Sequence, residues 1–154
     1  MALKNFEDFK YYWLLIAGTT ESPKQIKACD KKRDNGKYLS GISADLQNMS
    51  TYIEKNEDAT ILNKVQDMRY LKSSTVLENI RILAQEVKEQ PKSFRVEIYY
   101  TGHGQENTGN WCFADDKVVT LKQIIDIVRS ITCETLWIYS DCCYSGNWAV
   151  ELAQ

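Results

Sequence analysis

Two short segments carry the residues that could do chemistry in this chain of 154 residues. Residues 101–104 read Thr-Gly-His-Gly and contain His103, the single histidine. Residues 140–146 read Ser-Asp-Cys-Cys-Tyr-Ser-Gly and contain Cys142 and Cys143. A thiol with an ordinary pKa of about 8.5 is only a few per cent thiolate at pH 7. Because a nearby imidazole can accept the thiol proton and later protonate a leaving amine, a His–Cys pair would support acyl transfer.

The same residues also have a structural interpretation. A histidine in a glycine loop is most often a surface residue, and paired cysteines at the end of a strand often serve as small buried hydrophobic side chains. The catalytic interpretation requires that His103 and a cysteine meet in space. The strands and helices that position the two segments therefore decide between the catalytic and the structural interpretation.

Four segments have the composition of β-strands: residues 11–18, 59–67, 94–100 and 135–139. The first is a continuous apolar run, which is typical of a strand buried on both faces, and the second is the weakest. The third alternates with the period of a strand, although Arg95 and Glu97 are unusual in a strand covered by helices. Residues 111–113 and 118–119 predict a short hairpin, and the polar residues 19–40 predict a long loop.

Amphipathic patterns between these segments predict helices at about 42–55, from residue 75 to Pro91, at 121–131 and from residue 146 onward. Ser43 is the expected N-cap of the first helix. Thr75 and Glu78 have the spacing of a capping box, as do Thr120 and Gln123 before the third helix.

Strands that alternate with helices predict an α/β fold with a mainly parallel sheet, and the chain length predicts a single domain over residues 1–154. Active sites in such sheets lie beyond the carboxyl ends of the strands. Residues 101–104 and 140–146 each follow a predicted strand directly. If those strands are parallel neighbours, His103 and a cysteine meet at one edge of the sheet.

Composition excludes several other functions. The 19 Lys and Arg are mixed with 21 Asp and Glu, so no basic face for nucleic acid or anionic lipid is expected. The N-terminus lacks the apolar core of a signal peptide, and no apolar run could span a bilayer. Five cysteines without a C-x-x-C pair indicate reduced thiols in the cytoplasm and no zinc site. The acidic pair at 115–116 could suggest calcium activation, but such pairs are usual in solvated turns, so we predict no cofactor.

Both chemistry-bearing segments resemble motifs of caspase-like cysteine peptidases. Residues 99–104 look like the family's histidine motif, and residues 141–146 are similar to the metacaspase motif Asp-x-Cys-His-Ser-Gly, with Tyr144 in place of histidine. The order of histidine and then cysteine agrees with the family. The resemblance covers nearly the whole chain and implies a caspase-like three-layer sandwich that corresponds to the large-subunit, catalytic region.

The resemblance also implies a role for each residue. Cys143, rather than Cys142, would be the nucleophile, and His103 would act as general base and then general acid. The backbone N–H groups of Gly104 and Cys143 would form the oxyanion hole. The tyrosine at position 144 lies outside the dyad and bears on the subfamily more than on activity.

Peptide substrates cleaved after Arg or Lys are implied by two acidic positions. Conventional caspases cut after aspartate and carry glutamine two positions before the cysteine, where this chain has Asp141. Metacaspases bind a basic side chain with two aspartates, and Asp45 occupies the second matching position within residues 41–49. An acid in the first turn of a helix is also favoured by the helix dipole alone.

The small-subunit portion of the family would follow residue 154, and it normally adds strands beside residues 135–139. Without it, that strand would be an exposed sheet edge of the kind that proteins avoid. We therefore expect a partner chain or segment. The alternative function is a catalytically silent caspase-like module that binds a partner through the uncovered edge.

Overall fold

The computed structural model describes residues 10–18, 41–63, 71–90, 94–131, 133 and 135–154. In chain order, the elements are β1 (Lys10–Ala17), α1 (Ile42–Ile53), β2 (Ala59–Ile61), α2 (Ser73–Lys88), β3 (Phe94–Thr101), β4 (Trp111–Cys112), β5 (Val118–Val119), α3 (Leu121–Val128), β6 (Thr135–Asp141) and α4 (Gly146–Leu152). The loop predicted at 19–40, residues 64–67 of the weak strand and Pro91 lie outside the described residues.

The main sheet has four strands in the order β2-β1-β3-β6, and every neighbouring pair is parallel. The short strands β4 and β5 form a separate antiparallel hairpin. This arrangement confirms the predicted α/β fold with a mainly parallel sheet. Because β3 and β6 are adjacent and in register from Arg95↔Thr135 to Thr101↔Asp141, their carboxyl ends lie side by side.

Helices cover both faces of the sheet. Helix α1 packs on one face of the sheet. Thr101 of β3 lies on that face, and its hydroxyl donates a hydrogen bond to Asp45 of α1 at 3.0 Å. On the other face, β3 presents Tyr100, which contacts Phe113 after the β4 strand. Helices α2 and α3 belong to this second face, as right-handed crossovers from β2 to β3 and from β3 to β6 require.

Strand β3 is buried along nearly its whole length, which includes the unusual Glu97. The Glu97 side chain is only 8% exposed and accepts a hydrogen bond from the Tyr139 hydroxyl at 3.1 Å. Burial raises the pKa of Glu97, while the bond from Tyr139 and the charge of Arg95 oppose that shift. The guanidinium of Arg95 in turn lies over the Tyr11 ring. Both charged residues are therefore accommodated by partners on neighbouring strands.

The helix starts differ from the sequence predictions in two places. Helix α1 has Gly41, rather than Ser43, at its N-cap, and Ser43 lies exposed within the helix. Helix α2 starts at Ser73 after the N-cap Lys72, so the capping box predicted at Thr75 is wrong. The box at Thr120 and Gln123 is confirmed.

The start of α2 is capped instead by a residue that is remote in sequence. Asp115, in the turn between β4 and β5, accepts hydrogen bonds from the Ser73 hydroxyl at 2.8 Å and from the Ser73 backbone N–H at 3.3 Å. Burial acts to raise the pKa of Asp115, but the hydrogen bonds from Ser73 and from the backbone of Lys117 and Asp115 together outweigh burial and lower the pKa. The Asp115 carboxylate therefore ties the hairpin to α2.

We expect Asp115→Ala to lower the free energy of unfolding by about 1 kcal/mol, because it removes the acceptor at the helix start. For a domain of this size, the melting temperature should fall by roughly 2–4 °C. Thr75→Ala is the matched control, since Thr75 is exposed and inside α2. A larger loss in Thr75→Ala than in Asp115→Ala, measured by thermal unfolding, would contradict the assignment.

Strand β6 is an edge of the sheet among the described residues, and it is much less buried than β3. Its Trp137 is 49% exposed and stacks on Tyr139, with ring centroids 5.9 Å apart. An apolar strand with a half-exposed tryptophan at a sheet edge is a surface that another segment or chain could cover.

Candidate active site

His103 and Cys143 follow adjacent parallel strands. His103 comes two residues after the end of β3, and Cys143 comes two residues after the end of β6. Because Thr101 and Asp141 are register partners at the ends of these strands, both segments leave the sheet at the same edge. The topology thus brings together the two segments that the sequence analysis singled out.

The His103 segment is held by the buried ring of Tyr100. The Tyr100 hydroxyl donates a hydrogen bond to the His103 carbonyl at 2.7 Å, and the Cys112 backbone N–H lies 3.1 Å from the same hydroxyl. The Tyr100 ring stacks on Trp111 with centroids 4.5 Å apart. Since burial strongly raises the pKa of Tyr100, the hydroxyl stays protonated and remains a donor. A core aromatic residue therefore fixes the backbone that carries His103.

The imidazole of His103 is half-buried, and within the part of the chain that the structure describes its Nε2 atom is buried without a hydrogen-bond partner. Buried polar atoms are nearly always paired in native proteins. Exceptions are often functional, because an unpaired ring nitrogen is available to accept or donate a proton.

The two adjacent cysteines have opposite environments. Cys143 is exposed and has a free thiol. Cys142 is half-buried, its Sγ lies 3.3 Å from the Ser140 hydroxyl, and it packs against the hydrophobic core. Burial raises the pKa of the Cys142 thiol. Cys142 thus has the character of a packing residue, whereas Cys143 is accessible to a substrate.

Glycine is required where the two segments touch. A Cβ added to Gly104 would overlap the carbonyl oxygen of Cys143, and a Cβ on Gly109 would overlap the carbonyl oxygen of Tyr144. Gly109 has φ +72°, and Tyr144 adopts a left-handed conformation with φ +61°. The backbones of the two segments are therefore in direct contact beside Cys143.

We expect Gly104→Ala to reduce peptidase activity by roughly 100-fold or more, because the added methyl group pushes the two segments apart by a fraction of an ångström or more. Gly146→Ala is the control, since a Cβ there meets nothing within 4 Å. The measurement is kcat/KM with thermal unfolding in parallel. Equal activity in the two variants would show that the close approach at Gly104 is irrelevant to catalysis.

The two acidic residues predicted to bind a basic side chain lie around the end of β3. Asp45 on α1 accepts the hydrogen bond from Thr101, and Asp141 at the end of β6 is the register partner of Thr101. The Tyr99 hydroxyl donates a hydrogen bond to Asp141 at 3.2 Å. Among the described residues, no cationic side chain forms an ion pair with either carboxylate.

Thr101 and Tyr99 were not assigned roles from the sequence, although both belong to the histidine motif. Their side chains point to the same face of β3, and only the packing of α1 and the register with β6 bring acidic groups to them. The strand alternation would have placed the two side chains on one face, but not their partners.

No group of three or more His, Cys, Asp or Glu side chains in the described segments is arranged to hold a metal ion. None of the helices in these segments is long and apolar enough to cross a membrane.

The chain matches the family model of the caspase domain over residues 29–147, which is well over half of its length. The protein therefore belongs to the caspase-domain family of peptidases. All five predicted site residues fall within the matched region: Asp45, His103, Gly104, Asp141 and Cys143. No curated protein matches the chain at a significant level. Family membership implies cysteine peptidase activity on protein substrates.

Proposed function

We propose that this protein is a metacaspase-like cysteine endopeptidase that hydrolyses peptide bonds after Arg or Lys, with His103 and Cys143 as its catalytic dyad. The observation that carries the proposal is the adjacency of β3 and β6, which delivers the His103 segment and the exposed Cys143 thiol to one edge of the sheet. The unpaired Nε2 atom of His103 supports its role as the proton carrier.

The proposed reaction begins when His103 takes the proton of the Cys143 thiol and the thiolate attacks the carbonyl carbon of the scissile bond. The backbone N–H groups of Gly104 and Cys143 stabilise the resulting oxyanion, and the contact between the two segments supports that pairing. When the C–N bond breaks, His103 protonates the leaving amine, and the acyl group remains on sulfur as a thioester.

Hydrolysis of the thioester regenerates the thiol. His103 accepts a proton from water as the water attacks the acyl carbon, and the same oxyanion hole stabilises the second tetrahedral intermediate. The C–S bond then breaks, sulfur regains a proton from His103, and the new carboxylic acid leaves. All of these steps use groups of the chain itself and water, so the proposed reaction needs no cofactor.

Asp45 and Asp141 supply the proposed specificity. A carboxylate binds a guanidinium or ammonium group strongly, because it accepts charge-assisted hydrogen bonds from it. Two carboxylates can both accept such bonds from the same cationic side chain. The hydrogen bonds from Thr101 and Tyr99 support this assignment, because each leaves carboxylate lone pairs for a ligand.

The partner proposed for β6 is a small-subunit chain or segment that extends the sheet. The half-exposed Trp137 and the low burial of β6 support a covered edge in the active assembly. Cytoplasmic residence is proposed together with this function, because a nucleophilic thiol must remain reduced.

An arginyl fluoromethylketone peptide tests the proposal by intact mass. We expect one adduct on Cys143, little or no adduct in His103→Ala, and unchanged labelling in Cys142→Ala. An aspartyl fluoromethylketone is the matched reagent control and should label far more slowly. If no peptide probe labels the folded protein, alone or together with the partner proposed for β6, the silent interaction module replaces the peptidase.

A further inference from the structure

Tyr99 lies beside the two acidic residues of the proposed specificity pocket, and the proposed catalytic steps do not use its side chain. Its side chain is 9% exposed, and its hydroxyl donates to Asp141 Oδ2 at 3.2 Å. Asp45 approaches the same region from α1 through its bond to Thr101. Tyr99 is therefore the one phenol in the described part of the chain that contacts a carboxylate of the proposed specificity pocket.

The protonation state of Tyr99 suits a hydrogen-bond donor. Burial, the charge of Asp141 and the charge of Asp45 together raise the pKa of Tyr99 to about 12. The hydroxyl therefore stays neutral throughout the physiological range and keeps its proton available for Asp141.

We propose that Tyr99 is a positioning residue for substrate recognition, which holds the Asp141 carboxylate in the orientation that receives the cationic side chain of a substrate. The inference rests on the proposed preference for Arg or Lys and adds a residue to it. Asp141 is exposed at the end of an edge strand, where a free carboxylate rotates. A buried donor that engages Oδ2 removes that freedom before the ligand arrives, and it leaves Oδ1 for the cation.

The neighbouring strand provides a matched control. Tyr139 is the register partner of Tyr99, its hydroxyl also donates to a carboxylate, and its pKa is also raised to about 12, with burial as the main cause. Its partner is the buried Glu97, which lies within the sheet rather than at the candidate site. Removal of either hydroxyl deletes one similar hydrogen bond, but only Tyr99 acts on Asp141.

The test measures binding of benzamidine, a small amidinium probe for the pocket, by calorimetry. We expect Tyr99→Phe to weaken binding by roughly 10-fold, as loss of one hydrogen bond to a charged group implies. Tyr139→Phe should bind like the wild type. With an arginyl peptide, the loss in Tyr99→Phe should appear in KM more than in kcat.

A spectroscopic readout separates positioning from a general structural effect. In protein labelled with ¹³C at tyrosine Cζ, and assigned through the backbone, the Tyr99 resonance should shift on addition of benzamidine and in Asp141→Asn. The Tyr139 resonance should stay in place in both cases. This measurement on the wild type and Asp141→Asn decides the question even if Tyr99→Phe fails to fold.

Normal benzamidine binding in a folded Tyr99→Phe, or a Tyr99 resonance that ignores benzamidine and Asp141→Asn, would overturn the inference and leave the peptidase proposal intact. Failure of the wild type to bind benzamidine or cleave arginyl peptides would instead overturn the proposed basic specificity, and the role of Tyr99 with it. Weaker binding in Tyr99→Phe alone supports the inference.

Discussion

Replacement of Cys143 by alanine is expected to lower the rate of peptide hydrolysis by on the order of 10⁵-fold, because it removes the nucleophile proposed to form the acyl-enzyme. Cys142→Ala is expected to retain activity. The Cys142 thiol is half-buried against the core and has a raised pKa, so its loss should reduce stability by about 1 kcal/mol instead.

The measurement is kcat/KM on an arginyl peptide for both variants, with circular dichroism to establish that each is folded. The two substitutions are matched in chemistry and differ by one position, so the comparison is internally controlled. An inactive, folded Cys142→Ala beside an active Cys143→Ala would place the nucleophile one residue earlier than the motif does.

The second large effect concerns the residue before the scissile bond. Peptides with Arg at that position should be cleaved more than about 1,000-fold more efficiently than peptides with Asp, as measured by kcat/KM. We expect Arg to donate charge-assisted hydrogen bonds to Asp45 and Asp141, whereas an aspartate substrate would meet like charge and make none of these bonds. The experiment is a fluorogenic peptide panel on this protein together with the partner proposed for β6.

Asp141→Ala should abolish most of the preference for Arg while Cys143 still reacts with iodoacetamide, a neutral alkylating reagent. Asp126→Ala is the control, because Asp126 is an exposed acid on α3 that forms surface ion pairs with Lys122 and Arg129. Preferential cleavage after aspartate in the wild type would show that Asp45 and Asp141 do not form the specificity pocket.

Sequence periodicity predicted the main strands and helices, because burial of an element in the core leaves a clear pattern of apolar residues in its sequence. The apolar run that became β1 and the alternating run that became β3 are examples, and both strands are buried in the sheet. The adjacency of β3 and β6 could be stated only as a condition, since strand order depends on which crossovers the helices make. Once β3 and β6 are neighbours, the meeting of the His103 and Cys143 segments follows.

Contacts between residues remote in sequence were beyond the reach of local patterns. The start of α2 at Ser73 is capped by Asp115, 42 positions away. The capping box predicted from local spacing at Thr75 is therefore wrong. Tyr99 and Asp141 are likewise 42 positions apart. Local spacing rules describe only groups on one element, whereas these pairs are set by register and by packing between elements.

The parallel pairing of the sheet has a consequence for how the protein folds. Among the described strands of the main sheet, consecutive strands are joined by crossovers rather than tight turns, so none of these pairs can form as a local hairpin. The contacts beside the candidate site span 42 to 56 positions of the chain. Chains dominated by such distant contacts pass through slow loop-closure steps, on the order of milliseconds to seconds. Reactivity of Cys143 towards an arginyl probe should therefore appear late during refolding, with the docking of β6 on β3, and it can serve as a kinetic marker for completion of the sheet.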